Sequence, residues 1–483
     1  MSQQLPAEEN GKMPRRDFLA AVGTAAGGMA MHSSASLGAA AGGAAGRKKP
    51  APAARGAFLY PPTALLKKAG YYSWPGSGFD AEGHQKQYMT QIAAMAAKLK
   101  MRIAMEEKPL YGAENVTRFI DEVKKQKPDG LLLVPFKKSE WVSVNRIVKE
   151  TGLPTVAMAT IGVLLNPHVN ELYRTPGVYV ISSLDDFEAI EYGMRMIRTA
   201  QWMRTSRILS VTGNETKETT VVRLGTQIRV IPMQRYADAY RATEKTADVQ
   251  ALARSYLANA KKRVEPSEAD VLEAARIHIA TQRILADEQA DAIMIQCLQG
   301  IQEKHIPPPC MSFMSLRDEG VVAGCQNDLN STLSMMLVQQ LFDKPGFQQN
   351  ASCNTEQNLY YGAHCTCPSK LSGPGGPAEP YILRNHAEAA VGCVPQVLWP
   401  KGQAVTMAHY VSGKEPQMMI YSGKVVRCYD MPPAGGCRTN VEITINEVDD
   451  ICDVKGMHQT IFYGSYAKQL RRFCQLYGIT AVS

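Results

Sequence analysis

The chain has 483 residues, of which 45% are hydrophobic and 20% are charged, a composition typical of globular proteins that predicts two or three domains at this length. Seven basic and three acidic residues lie in the first 56 positions, so residues 57–483 carry a formal net charge of only +4. This small excess argues against a nucleic-acid partner, and no apolar run is long enough to predict a membrane span.

The N-terminal segment has the pattern of a twin-arginine export signal. Arg15 and Arg16 are followed by Phe-Leu and then by a weakly apolar run rich in Ala and Gly. We therefore predict a signal region over residues 1–32, export in the folded state, and a periplasmic or extracellular location. Residues 33–56 consist largely of Ala, Gly, Pro and Lys, which predicts a low-complexity linker.

Residues 57–175 predict a first α/β domain. Short apolar runs at 101–105, 130–134 and 154–159 alternate with amphipathic stretches at 115–125 and 141–150. Strands that are joined by crossover helices pair in parallel, so we expect a doubly wound sheet.

Residues 176–375 repeat this alternation and predict a second doubly wound α/β domain. Strands are expected at 178–182, 207–212 and 292–296, and helices at 185–203, around 236–242, and at 267–287. Neither α/β segment contains a GxGxxG or Walker sequence, so no nucleotide is expected.

Residues 376–483 predict a β-rich, barrel-like C-terminal domain. Alternating segments at 405–411, 417–421, 424–429 and 440–445 are separated by turns with Gly and Pro. A final helix at 466–477 ends before Gly478 and is followed by a short strand at 479–482.

The cysteines are confined to the second half of the chain. All eleven lie at or after Cys297. Cys365 and Cys367 form a C-x-C pair without a second pair at zinc spacing, so the pattern favours disulfides in an oxidising compartment. The turn between Cys428 and Cys437 is compatible with a disulfide between these two residues.

Four polar segments in the second half of the chain contain the candidate site. They are Gly324-Cys325-Gln326-Asn327-Asp328, Phe347-Gln348-Gln349-Asn350, Tyr361-Gly362-Ala363-His364 and Gly456-Met457-His458-Gln459-Thr460. In this order they resemble the metal-site and histidine segments of the L-fucose and L-arabinose isomerases. The resemblance covers roughly residues 316–483. It implies the architecture of those enzymes, two doubly wound α/β domains followed by a β-rich domain.

Enzymes of this family interconvert aldoses and ketoses through an enediol, with carboxylates that move protons and a divalent ion that is usually manganese. A hard cation prefers anionic oxygen ligands, and its charge stabilises the developing enediolate. The resemblance therefore implies a small-molecule sugar as partner, Mn²⁺ as cofactor, and a homo-oligomer of three or six chains.

The sequence departs from the family at the ligand positions. The family's glutamate falls on Gln326, its second carboxylate on Asn350, and the second of its paired late histidines on Gln459. An amide carries no charge and has no useful protonation equilibrium near neutral pH. We therefore predict a degraded metal site that holds either no cofactor or Mn²⁺.

The resemblance and the residues together assign candidate roles. Catalytic positions fall on Gln326, Asp328 and Asn350, substrate-binding positions on His364, His458 and Gln459, and any metal would be held by His364, Asp328 and Glu356. Asp328 precedes an apolar helix, so an N-cap is an alternative interpretation of this residue. The alternative interpretation of Glu356 is a solvent-exposed acid in a loop. His386 and His409 are interpreted as structural histidines.

Three functions are compatible with this pattern. The first is an exported sugar-isomerase-like protein that binds or acts on a carbohydrate and has lost the metal site. The second is an active Mn-dependent aldose–ketose isomerase that uses Asp328 and Glu356 in place of the usual carboxylates. The third is a periplasmic sugar-binding protein, since tandem α/β domains also suit that class. Whether the chain is an enzyme stays open at this point.

Overall fold

A computed structural model describes residues 49–69, 75–431 and 436–483. They belong to one unit of the chain, Ala44–Ser483. The predicted twin-arginine signal, and the predicted linker as far as residue 48, lie outside the described residues. Within the described ranges, none of the helices combines the length and the apolar character that a bilayer crossing requires.

The first sheet has five parallel strands in the order β2-β1-β3-β4-β5. Its strands are β1 (Ala53–Leu59), β2 (Arg102–Met105), β3 (Gly130–Pro135), β4 (Thr155–Thr160) and β5 (Val178–Ser183). The accompanying helices are α1 (Thr63–Ala69), α2 (Ala81–Lys98), α3 (Ala113–Gln126), α4 (Trp141–Thr151), α5 (Asn166–Tyr173) and α6 (Phe187–Thr205). This order is that of a doubly wound sheet, as predicted.

The positions of two strands of this sheet differ from those predicted from the sequence. β1 begins inside the segment that was predicted as a linker up to residue 56, because Phe58 and Leu59 at its end are fully buried and draw the preceding Ala-rich residues into the sheet. β5 was expected to open the second domain. It pairs with β4 instead, and so it closes the first sheet.

The second sheet has the order β11-β10-β6-β8-β7, and only the edge strand β7 runs antiparallel. The strands of this region are β6 (Arg207–Val211), β7 (Lys217–Thr220), β8 (Gln227–Ile231), β9 (Lys262–Arg263), β10 (Ala292–Ile295) and β11 (Val322–Cys325). The helices are α7 (Met233–Ala242), α8 (Ala247–Asn259), α9 (Glu268–Asp287), α10 (Cys297–Gln302), α11 (Cys310–Asp318) and α12 (Leu329–Phe342). The carboxyl ends of β10 and β11 therefore lie side by side.

The C-terminal region forms a closed six-stranded barrel in the order β16-β19-β12-β13-β18-β17, closed by pairing of β17 with β16. The strands are β12 (Phe347–Asn354), β13 (Leu359–His364), β14 (Tyr381–Arg384), β15 (Val394–Val397), β16 (Ala404–Val411), β17 (Gln417–Arg427), β18 (Thr439–Ile445), β19 (Gln459–Tyr463) and β20 (Thr480–Val482), with helix α13 (Ala467–Tyr477) before the last. β9, β14 and β15 form a separate small sheet, and β20 extends the barrel sheet beside β17.

The barrel starts earlier in the chain than the β-rich segment predicted from residue 376. β12 and β13 belong to it although they precede that residue, and the predicted strands at 417–421 and 424–429 are one continuous strand, β17. The interior is filled by large side chains from facing strands, among them Phe347, Tyr360 and Tyr421. The coarse prediction of α/β layers followed by a barrel is confirmed, and the predicted domain limits stay predictions.

Helix α12 connects the second sheet to the barrel. It is apolar around its circumference and packs in one core cluster with β10 on one side and with Tyr410 and Phe462 of the barrel on the other. A helix that is buried on all sides fixes the two layers against each other. The N-terminus of α12 and the ends of the barrel strands are thereby held in one place.

Gly423 provides a test of the barrel. A β-carbon at this position of β17 would lie 1.7 Å from the carbonyl oxygen of Thr444, a backbone atom of β18 that cannot rotate away. We expect Gly423→Ala to lower the free energy of unfolding by about 1–3 kcal/mol through overpacking, measured by urea denaturation. Gly413→Ala is the matched control because nothing lies within 4 Å of its β-carbon position, and equal effects of the two changes would contradict this account.

Candidate functional site

Asp328 stands where the chain leaves β11 and enters α12. Gln326 and Asn327 precede it with φ angles of 54° and 53°, left-handed values that are uncommon for residues other than glycine. These two residues turn the chain so that the Asp328 carboxylate accepts a hydrogen bond from the Ser331 amide at 2.9 Å. Asp328 is therefore the N-cap of α12, as the sequence suggested.

The same carboxylate binds His458. Its second oxygen lies 2.7 Å from His458 Nδ1, and the Ser331 hydroxyl donates to the His458 carbonyl oxygen at 2.6 Å. Burial raises the pKa of Asp328, but the hydrogen bonds from His458 and Ser331 outweigh it and bring the pKa below its usual value. Because the carboxylate is ionised, His458 Nδ1 carries a proton and donates it.

His364, at the end of β13, is held in the opposite tautomer. Its Nδ1 lies 3.0 Å from the amide nitrogen of Cys365, and an amide N–H can only donate. Nδ1 is therefore the acceptor, and Nε2 carries the proton of the neutral ring. Burial, followed by the nearby His458, lowers the pKa of His364 to about 3, so the ring is neutral near pH 7.

These two rings face each other with complementary free atoms. Their centroids are 5.8 Å apart and their planes meet at 69°. In the described part of the chain, Nε2 of each ring is buried without a hydrogen-bond partner. His364 thus offers an N–H group, while the tautomer of His458 that carries its single proton on Nδ1 offers a lone pair at Nε2.

The strand register determines where two of the predicted amides lie relative to these histidines. Asn350 in β12 pairs with Ala363, next to His364, and its side-chain nitrogen lies 4.0 Å from Cys437 Sγ. β12 also pairs Gln349 with Gln459, which directly follows His458 in the chain. The Gln459 amide donates to the Lys455 carbonyl, while its Oε1 is buried and has no partner among the described atoms. Gln459 therefore lies beside His458, whereas the Asn350 side chain alternates to the other face of β12 and approaches Cys437.

A third histidine, which the sequence interpretation regarded as structural, also belongs to this cluster. His409 in β16 is only 6% exposed, and its Nδ1 finds no partner within the described ranges. Burial lowers the pKa of His409, and the charges of Asp328 and His458 act on it. The sequence feature that could have indicated His409 is a single histidine in a strand of otherwise largely apolar residues.

Gln348, the neighbour of Asn350, ties the barrel to the second sheet. Its Oε1 accepts from the Cys325 amide at 2.8 Å, and its Nε2 donates to the Cys325 carbonyl oxygen at 3.1 Å. The side chain is fully buried. The Gln348 amide therefore makes the same pair of hydrogen bonds with the end of β11 that the backbone of a neighbouring strand would make.

Glu356 is not part of this cluster. It is exposed in a short turn between β12 and β13, beyond the Asn354–Leu359 pair at the other end of that hairpin. The four steps along the strand from Asn350 to Asn354 alone span roughly 13 Å. The structure therefore does not bring Glu356 to His364 and Asp328, the other members of the predicted metal set.

The remaining donors do not fit a divalent cation. Gln326 and Asn350 are neutral, Asp328 is engaged by a helix terminus and a histidine, and His364 Nε2 carries a proton. Across residues 49–69, 75–431 and 436–483, no group of three or more His, Cys, Asp or Glu side chains is placed to hold a metal ion.

The comparisons with known proteins do not identify a family for the chain. No family description matches the chain, and no curated protein is similar to it. Functional conclusions therefore depend on the geometry of the site.

The two hydrogen bonds of Asp328, to the Ser331 amide and to His458, can be tested by their contribution to stability. Asp328→Ala removes a helix cap, which typically costs about 1 kcal/mol, and also leaves His458 Nδ1 without its acceptor. Asp186→Ala is the matched control, because Asp186 caps α6 through the Ala189 amide and is an exposed residue. We expect urea denaturation to show a clearly larger loss for Asp328→Ala, and equal losses would mean that the contact with His458 contributes nothing.

The buried neutral state of His364 predicts a pH dependence. The folded pKa of about 3 lies below that of an unfolded histidine, so the unfolded state takes up the proton first as the pH falls. The stability contributed by His364 is complete above pH 6.5 and is lost progressively towards pH 3, by up to about 1.4 kcal/mol per pH unit. Urea denaturation at pH 7, 6, 5 and 4 should show a shallower decline for His364→Asn than for the unaltered protein. His168→Asn, on α5, should leave the decline unchanged, and identical curves for all three proteins would contradict the assignment.

Proposed function

We propose that the cluster around His364 and His458 binds a polyhydroxylated small molecule of the carbohydrate type without a divalent metal. The chain would then be an exported sugar-isomerase-like protein whose metal centre has been lost. The observation that carries this proposal is the pair of opposite tautomers, because one free ring nitrogen donates and the other accepts.

A hydroxyl group is the natural partner of such a pair. It donates one hydrogen bond and accepts others, so one sugar hydroxyl or two neighbouring ones would satisfy His364 Nε2–H and the His458 Nε2 lone pair together. Leaving a buried polar atom unpaired costs about 1–3 kcal/mol. Four such atoms, His364 Nε2, His458 Nε2, His409 Nδ1 and Gln459 Oε1, are concentrated in this cluster. They favour a ligand rich in hydroxyl groups.

The same tautomers speak against a metal-dependent isomerase. Coordination by His364 Nε2 would require its proton to move to Nδ1, where it would oppose the Cys365 amide N–H. The second function considered from sequence also needs Glu356, which lies at the far end of its hairpin. The receptor function shares the binding site with the proposal and differs from it in lineage. Export by the twin-arginine route and assembly into trimers or hexamers rest on the sequence alone.

The proposal is tested by titration calorimetry with a panel of aldoses, ketoses and sugar acids, once in EDTA and once in MnCl₂. We expect at least one sugar to bind with the same affinity in both buffers, and no aldose to be converted to its ketose. Conversion that requires Mn²⁺ and disappears with chelator would support the isomerase instead, and failure of every polyol to bind would overturn the proposal.

Two substitutions isolate the free ring nitrogens. In His364→Asn the new Oδ1 can accept from the Cys365 amide, and in His458→Asn the new Nδ2 can donate to Asp328, while asparagine tolerates the φ of 59° at this position. Each change keeps the hydrogen bond on the Nδ1 side and removes the far side of the ring with Nε2, so we expect sugar affinity to fall at least about tenfold, as for loss of one hydrogen bond to a buried group. His168→Asn should bind as the unaltered protein does, and unchanged affinity in both site variants would contradict the assignment.

A further inference from the structure

Six of the eleven cysteines lie near one another in pairs. The sulfur atoms of Cys297 and Cys325 are 3.2 Å apart. Cys365 and Cys437 pack in one small cluster, and Cys353 Sγ donates to the carbonyl oxygen of Ile451, the residue before Cys452, at 3.7 Å. All of these residues are thiols in the structure.

We propose that the three pairs form disulfides when the protein is oxidised, with the connectivity Cys297–Cys325, Cys353–Cys452 and Cys365–Cys437. In each reaction a thiolate attacks an external small-molecule disulfide such as oxidised glutathione, and the partner thiolate then displaces the second glutathione. One sulfur–sulfur bond is exchanged for another, the two cysteine thiols are oxidised, and two molecules of reduced glutathione leave with the two protons.

Other cysteines are engaged by groups that cannot form disulfides. Cys428 Sγ points to the Val397 carbonyl oxygen, Cys367 Sγ accepts from the Trp399 indole, and Cys474 Sγ contacts the Met418 sulfur. The pairing of Cys428 with Cys437 that the sequence suggested is therefore not found. Cys310 is the one competitor that needs a test, because it packs in the same small cluster as Cys365 and Cys437.

The pairs differ in their access to an oxidant. Cys353 and Cys452 are exposed, whereas Cys297 and Cys325 are only 1% and 3% exposed. Thiol–disulfide exchange requires an attacking group to reach the sulfur. The exposed pair should therefore oxidise in the folded protein, while Cys297–Cys325 should form only during folding.

Each pair adjoins a segment that carries part of the candidate site. Cys325 directly precedes Gln326, Cys365 directly follows His364, and Cys452 lies six residues before His458. Each disulfide would tie the neighbourhood of one such segment to another part of the chain and so restrict its movement. The connectivity does not depend on the proposed function, and only its effect on sugar binding rests on it.

Peptide mapping of the full chain tests the connectivity. The protein is unfolded, reduced, refolded in a buffer of oxidised and reduced glutathione, blocked with N-ethylmaleimide, and digested without reduction. We expect mass spectrometry to find the three linked peptides and the other five cysteines blocked. A Cys310–Cys365 or Cys428–Cys437 link, or Cys297 and Cys325 recovered as blocked thiols, would overturn the proposal.

Cys325→Ala, with Cys474→Ala as control, separates the cross-link from simple loss of a buried thiol. After oxidative refolding, Cys325→Ala should lower the urea midpoint more than Cys474→Ala does, and tris(2-carboxyethyl)phosphine should remove most of that difference. A difference that persists after reduction would show that the effect is packing alone. Disulfides that map as expected but leave sugar affinity unchanged on reduction would overturn only their positioning role, whereas sugar binding that is absent in both redox states would overturn the proposed function.

Discussion

The arrangement of the site depends on one carboxylate. Asp328 caps α12 through the Ser331 amide and binds the imidazole of His458, so a single side chain joins the second α/β layer to the barrel. The Ser331 hydroxyl adds a bond to the His458 carbonyl oxygen. Because the first turn of α12 holds both the ring and the backbone of His458, the position of the free ring nitrogen follows from the position of the helix.

The charge state of this carboxylate also determines what the site can bind. An ionised Asp328 fixes the proton of His458 on Nδ1, while the Cys365 amide fixes the proton of His364 on Nε2. Two imidazoles with opposite tautomers cannot both present lone pairs to a cation, although they suit a group that donates and accepts. Gln459 adds a free carbonyl oxygen, because its N–H group donates to Lys455. This set of free donors and acceptors is the reason for the ligand class that we propose.

Sequence patterns predicted the parts of the fold that arise from local periodicity. Apolar runs gave β2 to β5 of the first sheet and β6 and β10 of the second, and a carboxylate before an apolar helix gave the cap at Asp328. Pairing between distant segments was not predictable from one sequence. β5 joined the first sheet and β12 joined the barrel, because partners are chosen by packing of whole layers rather than by local pattern. Glu356 was included in the predicted metal set because it lies close to Asn350 in the sequence. The extended β12–β13 hairpin places it far from His364 and Asp328. His409 was missed because nothing in the sequence indicates which strand lies beside β19.

The side chain of Gln348 limits how this region can vary. Its amide matches both the N–H and the carbonyl oxygen of Cys325, so the edge of the α/β sheet and the barrel wall share one continuous ladder of hydrogen bonds at this point. A glutamate there would set a negative oxygen against the Cys325 carbonyl in a buried location. An acidic side chain at position 348 would therefore separate the α/β sheet from the barrel at this point.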